Sequence, residues 1–235
     1  MKYLFLTLSI LLSQIVSGQS LLGAWESTQV TEDGEQRVVV ILTNKFQVAT
    51  WYDSETGAFV ATNGGSWSKD GNTVTELVEF DTRDSSRVGT TVTFDVEFDD
   101  EEMSIVGSDQ VFKRIDSGTP GKLSGAWLMS GRIRNGEMSE RNVNRPRKTM
   151  KILSGTRFQW IAYNTETKRF MGTGGGSYTT IDGKYTENIE FFSRDNTRVG
   201  AALEFNYELK EEKWHHSGNN SRGEPLYEIW SPRIK

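Results

Sequence analysis

The chain repeats itself over most of its length. Lys45 onward reads KFQVATWYDSETGAFVATNGGSWSKDGNTVTELVEFDTRDSSRVG, and Arg157 onward reads RFQWIAYNTETKRFMGTGGGSYTTIDGKYTENIEFFSRDNTRVG. Two one-residue shifts align these strings, and Gly-Ala-Trp opens both copies, at residues 23–25 and 125–127. A period of about 100 residues is the size of a domain, and two copies are too few for a solenoid. The repeat predicts two domains that each close their own core, or alternatively one sheet shared by both copies.

The domain boundaries follow from the ends of the repeat. We place the first copy at residues 21–116, a turn-rich linker at 117–122 and the second copy at 123–235. The second copy also carries an insertion near residues 134–147 and a longer C-terminal end.

Each copy shows the alternation of apolar and polar residues that is typical of half-buried strands, and no segment has sustained helical periodicity. Asp70-Gly71 and Asp182-Gly183 are strong hairpin signals. Many short strands at such spacing indicate a sandwich or a barrel. The predicted fold is all-β, with two tandem, small, antiparallel up-and-down β-barrels of about eight strands each. In the first copy the strands begin near Trp25, Val38, Phe46, Phe59, Val74, Val88, Met103 and Val111.

The first 18 residues have the order of a secretory signal peptide: Lys2, an apolar run, then small residues. We therefore expect an exported protein, periplasmic or secreted, with no integral membrane segment. The chain has no cysteine, which favours a bacterial source over a disulfide-bonded secreted domain. A net charge of -5 argues against a nucleic-acid partner.

The two ends of each copy resemble the lipocalins and the wider calycin group. In that family a Gly-x-Trp on the first strand closes the barrel floor, and an Arg from the last strand packs over its ring. The matching pairs here are Trp25 with Arg114 (or Lys113) and Trp127 with Arg233. A guanidinium lies well on an indole face. The resemblance implies capture or transport of small, often apolar molecules, and catalysis only occasionally.

The most distinctive shared string covers residues 76–89 and 187–200 and reads Glu-x-x-Glu-Phe-x-x-Arg-Asp-x-Ser/Thr-Arg-Val-Gly. With a hairpin tip at residues 84–86, strand parity points the second Glu and both arginines away from the core. They form either a surface ladder of weak ion pairs or a site with an acceptor between two opposed guanidinium groups. The predicted outer-face charge cluster is Glu79, Arg83, Asp84 and Arg87, with Glu190, Arg194, Asp195 and Arg198.

The first Glu of that string is different, because it shares the apolar face. Pairing across the turn sets Glu76 opposite Phe94, and Glu187 opposite Phe205. A buried carboxylate is costly unless it is bonded, so each Glu either reaches water or a cation at a strand end or is the polar anchor of a ligand pocket. Aromatic residues gather in the second copy, as core or as pocket wall. The predicted ligand-binding residues are Glu187, Trp160, Tyr163, Phe170, Tyr178, Phe205, Tyr207 and Glu76.

We predict no catalytic residue, cofactor or metal. His215 and His216 are the only histidines, and neighbours on a strand point to opposite faces, so they make a poor metal pair. No helix follows the glycine-rich residues 172–176, which therefore indicate a bend or bulge and not a phosphate loop.

Three functions remain open. The first is a binding protein that holds a small, partly apolar molecule in a barrel, most readily in the second copy, where the insertion could cover the mouth. The second is a non-catalytic module that binds glycan or protein through its outer face. The third is an enzyme that uses Glu187 as acid or base.

Overall fold

The first copy forms one closed antiparallel barrel. The computed structural model describes residues 20–134, 136–220 and 223–234, so the predicted signal peptide lies outside the described residues. Eight strands pair in chain order, and the last pairs with the first. They are β1 (Gly23–Thr31), β2 (Gly34–Leu42), β3 (Phe46–Asp53), β4 (Phe59–Asp70), β5 (Thr73–Asp81), β6 (Thr91–Phe98), β7 (Glu102–Ile105) and β8 (Val111–Asp116).

The second copy forms a second closed barrel with one added strand. The strands are β9 (Gly125–Arg134), β10 (Glu137–Glu140), β11 (Arg147–Leu153), β12 (Arg157–Asn164), β13 (Arg169–Ile181), β14 (Lys184–Phe192), β15 (Ala202–Lys210), β16 (Lys213–Asn219) and β17 (Pro225–Pro232). β9 pairs with both β11 and β17, which closes the barrel, and β10 only extends β9 as a hairpin. The predicted fold of two tandem antiparallel barrels of eight strands is confirmed. No described helix is long and apolar enough to cross a membrane.

Strand pairing relates the two copies without the two one-residue shifts that the sequence strings suggested. Gln47 pairs with Leu42 as Phe158 pairs with Leu153, so Gln47 and Phe158 hold equivalent places. The hairpin turns also match without a gap, because the pair Asp70 and Thr73 corresponds to the pair Ile181 and Lys184. A one-residue slip would carry every interior side chain to the outside. Aligning the two copies by their shared Phe-Gln and Asp-Gly pairs therefore displaces these residues by one position from their structural equivalents.

The glycine-rich stretch of β13 carries a bulge, as predicted. The register of β13 and β14 shifts between Gly175 and Gly176. A Cβ on Gly176 would lie 2.0 Å from the backbone oxygen of Asn188, so only glycine fits there.

The barrel floor matches the lipocalin resemblance in the first copy only. The Arg114 guanidinium lies 3.9 Å over the fully buried ring of Trp25, as predicted. The predicted pair of Trp127 and Arg233 is wrong. Pro232 pairs with Trp127 where Arg114 pairs with Trp25, and Arg233, one residue later, points to the other face. Its guanidinium stacks 3.9 Å over Phe46 of the first barrel.

The outer faces of the two barrels pack against each other and form a third core between them. Its buried members come from β1, β2, β3 and β5 of the first barrel and from β9, β11, β12 and β14 of the second, and they are Ala24, Val39, Ile41, Phe46, Val48, Tyr52, Phe80, Ala126, Leu128, Met150, Ile152, Ile161, Tyr163 and Phe191. A polar layer crosses it, because the Gln159 side chain bonds the hydroxyls of Thr50 (2.6 Å) and Thr62 (3.1 Å). The interface between the barrels therefore combines apolar packing with hydrogen bonds.

Candidate functional site

The second barrel contains an open cavity of about 290 Å³. Its walls are mainly apolar, and of the predicted ligand-binding residues it brings together Glu187, Trp160 and Phe205. The apolar walls are Met129, Trp160, Ile189, Phe192, Ala201, Leu203, Phe205, Leu226 and Trp230. Polar side chains also reach it, namely Thr149, Lys151, Glu187, Arg198, His216, Asn220 and Glu228. A mostly apolar cavity with a few converging polar groups is the usual plan of a ligand site.

A buried ion pair stands in this cavity. Lys151 Nζ lies 2.6 Å from Glu187 Oε1, and each residue is only 5% exposed. The ammonium group also lies 4.9 Å from the ring centroid of Trp214 and 5.3 Å from that of Trp230. Aromatic faces and one carboxylate thus replace the water shell of Lys151.

His216 supplies a second polar group to the same cavity. Its ring is 2% exposed and its centroid lies 4.2 Å from that of Phe205. Nδ1 lies 3.4 Å from Glu228 Oε2, and Nε2 has no hydrogen-bond partner among the described residues. Burial and the positive charge of Lys151 lower the pKa of His216, which favours the neutral ring. Trp230 Nε1 donates a second hydrogen bond to Glu228, at 3.2 Å.

Sequence reasoning did not include Lys151, His216 or Glu228 in the site. For Lys151 and His216, the equivalent residues of the first barrel are apolar, so the repeat gave no sign of a shared polar site. Val40 occupies the place of Lys151, and Ile105 that of His216, because each holds the same ladder position. Both are polar residues at an interior position that is apolar in the other copy, and this signal is visible only once the register of the two copies is known.

Four predicted ligand-binding residues lie elsewhere. Tyr163 and Phe170 point out of the second barrel into the core between the barrels, where the Phe170 ring stacks 5.9 Å from that of Phe59. Their prediction as pocket residues is wrong, because the outer face of β12 and β13 is covered by the first barrel. Tyr178 and Tyr207 pack inside the second barrel without lining the cavity, and the Tyr178 hydroxyl donates to Ser154 O at 2.7 Å.

The insertion does not cover the cavity. Its Val143 packs against the core between the barrels, and Lys148 Nζ donates to Val143 O at 2.6 Å. None of its described residues lines the cavity of the second barrel. They border a separate groove outside, which corrects the expectation of a lid.

The first barrel has its own open cavity, of about 320 Å³, and Glu76 is one of the residues that line it. Gln47 Nε2 donates to Glu76 Oε1, and Glu76 is 6% exposed. Burial raises the pKa of Glu76 although the hydrogen bond from Gln47 lowers it. The predicted register across the turn is off by two residues, since Glu76 pairs with Val92 and Glu187 with Leu203. The two inward carboxylates thus have different partners, an amide in one barrel and an ammonium in the other.

The predicted outer-face cluster divides into three groups. Glu79 and Glu190 do lie outside their own barrels, but in the interface. Glu79 accepts hydrogen bonds from Tyr163 and, at 2.6 Å, from Arg233. In the opposite direction, Glu190 of the second barrel accepts a hydrogen bond from the Tyr52 hydroxyl of the first, at 2.9 Å. Glu190 also forms ion pairs with Arg157 and Arg37. Burial alone would raise the pKa of Glu190, but these partners hold it below its ordinary value.

The placement of Arg87 and Arg198 on the outer face is wrong, because both line the cavities. Residues 85–87 and 196–198 form short 3-10 turns, which break the strand parity on which the prediction rested. Arg87 pairs with Asp81 at 2.7 Å. Phe192 replaces Asp81 in the second barrel, and Arg198 pairs with Asp195 instead, at 3.2 Å.

The remaining members of the cluster lie at the edges of these turns. Asp84 and Asp195 accept hydrogen bonds from the backbone nitrogens of Ser86 and Thr197 and so cap the two turns. The Arg83 guanidinium lies 4.6 Å over the ring of Trp51, a residue of the first cavity, and Arg194 donates to Met171 O. Arg83 and Arg194 therefore have different partners in the two copies.

Comparison with known proteins reaches only the second barrel. Residues 122–235 match the family described as a domain of unknown function, DUF4488. No curated protein matches the chain. The matched segment contains every strand of the second barrel and all the residues that line its cavity.

Proposed function

We propose that this chain is an exported binding protein that holds a small, partly apolar molecule in the cavity of the second barrel. One observation supports this most strongly: apolar walls surround the buried pair of Lys151 and Glu187 and the side chain of His216, whose Nε2 has no hydrogen-bond partner in the part of the chain that the structure describes. Protein interiors are close-packed and their polar groups are bonded. An open cavity with an unsatisfied acceptor is therefore better suited to receiving a ligand than to stabilising the fold.

The outer-face alternative has weaker support. Its most distinctive acidic residues, Glu79 and Glu190, are engaged between the barrels, each by a tyrosine and an arginine of the opposite barrel. A glycan or protein partner would have to compete with these bonds.

The proposal predicts that filling the second cavity weakens binding. Ala201 lines this cavity, and Ala201→Phe adds a ring there without removing any polar group. The matched control is Ala49→Trp, since Ala49 lines the first cavity at the place that Trp160 occupies in the second. With N-phenylnaphthylamine as a fluorescent apolar probe, Ala201→Phe should weaken binding about tenfold or more, and Ala49→Trp should leave it within about twofold.

Circular dichroism and thermal melting of both variants establish that the fold is kept. If only Ala49→Trp loses probe binding, the probe binds in the first barrel and not in the second. Equal binding by both variants and the original protein would place the probe on the surface and contradict the proposal.

A further inference from the structure

We infer that the ligand of the second cavity is a neutral, flat molecule that donates a hydrogen bond, from a hydroxyl or an N–H group, to His216 Nε2. This inference rests on the proposed function and adds the chemical class of the ligand. It concerns the second barrel alone, because Ile105 takes the place of His216 in the first.

The direction of the hydrogen bond follows from the neighbour of the other ring nitrogen. Nδ1 faces the Glu228 carboxylate at 3.4 Å, and an ionised carboxylate can only accept. Nδ1 therefore carries the proton of the neutral ring, and Nε2 presents a lone pair. With Nε2 buried and unpartnered among the described residues, a ligand donor gains more there than at a solvated acceptor.

The charges around His216 select against an anion. Glu187 and Glu228 bring two carboxylates to the cavity, and Lys151 brings one ammonium group that is already paired with Glu187. Arg198 also lines the cavity, with its guanidinium bonded to Asp195. The two carboxylates and the two cations already balance, so a ligand carboxylate would add an uncompensated negative charge beside Glu187 and Glu228, whereas a neutral donor adds no charge.

The walls select a flat molecule of modest size. The Trp160 and Phe192 rings lie 5.6 Å apart at 60°, and Phe205 packs against His216. A volume of about 290 Å³ is near the lower end for small-molecule sites. One or two fused rings fit such a space, and the aromatic walls offer them stacked or edge-on contacts.

Three probes of the same shape test this chemistry on the intact protein: naphthalene, which has no polar group, naphthol, which donates, and naphthoate, which is an anion. We expect naphthol to bind about tenfold more tightly than naphthalene, the effect of one hydrogen bond to a buried acceptor. Naphthoate should bind about tenfold more weakly than naphthol. In His216→Ile, which places the side chain of the first barrel in the second, the preference for naphthol over naphthalene should fall below about twofold. His215→Ile, on the opposite face of β16, should keep it.

The outcomes separate the inference from the proposed function. If naphthalene or naphthoate binds as tightly as naphthol, the hydrogen-bond inference is wrong, and the proposed function keeps its own test in Ala201→Phe. If the preference for naphthol persists in His216→Ile, the donor is recognised elsewhere and the inference also fails. If none of the three probes binds, the proposed function fails with it. The comparison of the three probes uses the unmodified chain. It therefore tests the preference for a neutral donor even if His216→Ile does not fold.

Discussion

Replacing Lys151 by Val should lower the free energy of unfolding by about 3–5 kcal/mol, the usual cost of removing one partner from a buried ion pair. Lys151 and Glu187 are each 5% exposed, so Glu187 would remain as an unpaired buried charge. Chemical denaturation followed by circular dichroism measures the change. The matched control is Lys184→Val, because Lys184 pairs with Glu204 at 3.1 Å on the surface. That variant should lose less than about 1 kcal/mol.

The first barrel supplies a rescue for the Lys151 variant. There the equivalent carboxylate, Glu76, is satisfied by Gln47, whose place in the second barrel belongs to Phe158. Adding Phe158→Gln to Lys151→Val recreates this arrangement. The loss in free energy of unfolding of the double variant should therefore be smaller than the sum of the two single losses, by about 1 kcal/mol or more. Strict additivity of the two losses would contradict the equivalence of Gln47 and Phe158. A loss in Lys151→Val no larger than that in Lys184→Val would contradict the buried ion pair.

Replacing Trp25 by Ala should also cost about 3–5 kcal/mol, as expected for a fully buried large aromatic. Trp25 is 0% exposed, its Nε1 donates to Leu21 O at 2.9 Å, and Arg114 covers its ring. Removing the indole also leaves the Arg114 guanidinium without its stacking face. Denaturant titration of the free energy of unfolding tests this, and a loss well below 1 kcal/mol would mean that the floor of the first barrel is wrongly placed.

The same variant tests how far the barrels unfold together. The core between them includes Tyr52 and Phe80 of the first barrel and Tyr163 and Phe191 of the second, and the Phe80 and Tyr163 ring centroids are 4.7 Å apart. Unfolding of the first barrel would expose this surface. We therefore expect Trp25→Ala to shift a single transition, with tryptophan fluorescence and circular dichroism coincident. Two separated transitions would show that the interface contributes little.

The sequence was sufficient to predict the barrels because their interiors follow the period of two. Alternation in each copy, hairpin signals and the repeat together predicted the strand order and the number of strands. The stack of Arg114 on Trp25 also followed from residue type and position. These features depend on local pattern and on the repeat, which a single sequence displays directly.

The site was predicted less well, for two physical reasons. Parity reasoning assumed that the outer face meets water, but in β11 and β12 both faces are buried, so Tyr163 was taken for a pocket residue and is part of the interface. The turns at residues 85–87 and 196–198 then reversed the expected side of Arg87 and Arg198. Glu187 was found because a carboxylate on an apolar face is costly, whereas its partner Lys151 depends on long-range register that no local pattern contains.

The most direct test of a ligand site inside the second barrel is heteronuclear NMR of the imidazole nitrogens during titration with naphthol. The chain has two histidines, and they are neighbours on opposite faces of β16. His216 lines the cavity, while His215 Nδ1 lies 2.9 Å from the Tyr227 hydroxyl and does not. The account predicts that the His216 nitrogen signals shift with saturation while those of His215 stay in place. Shifts confined to His215, or naphthol binding that leaves His216 unchanged, would contradict it.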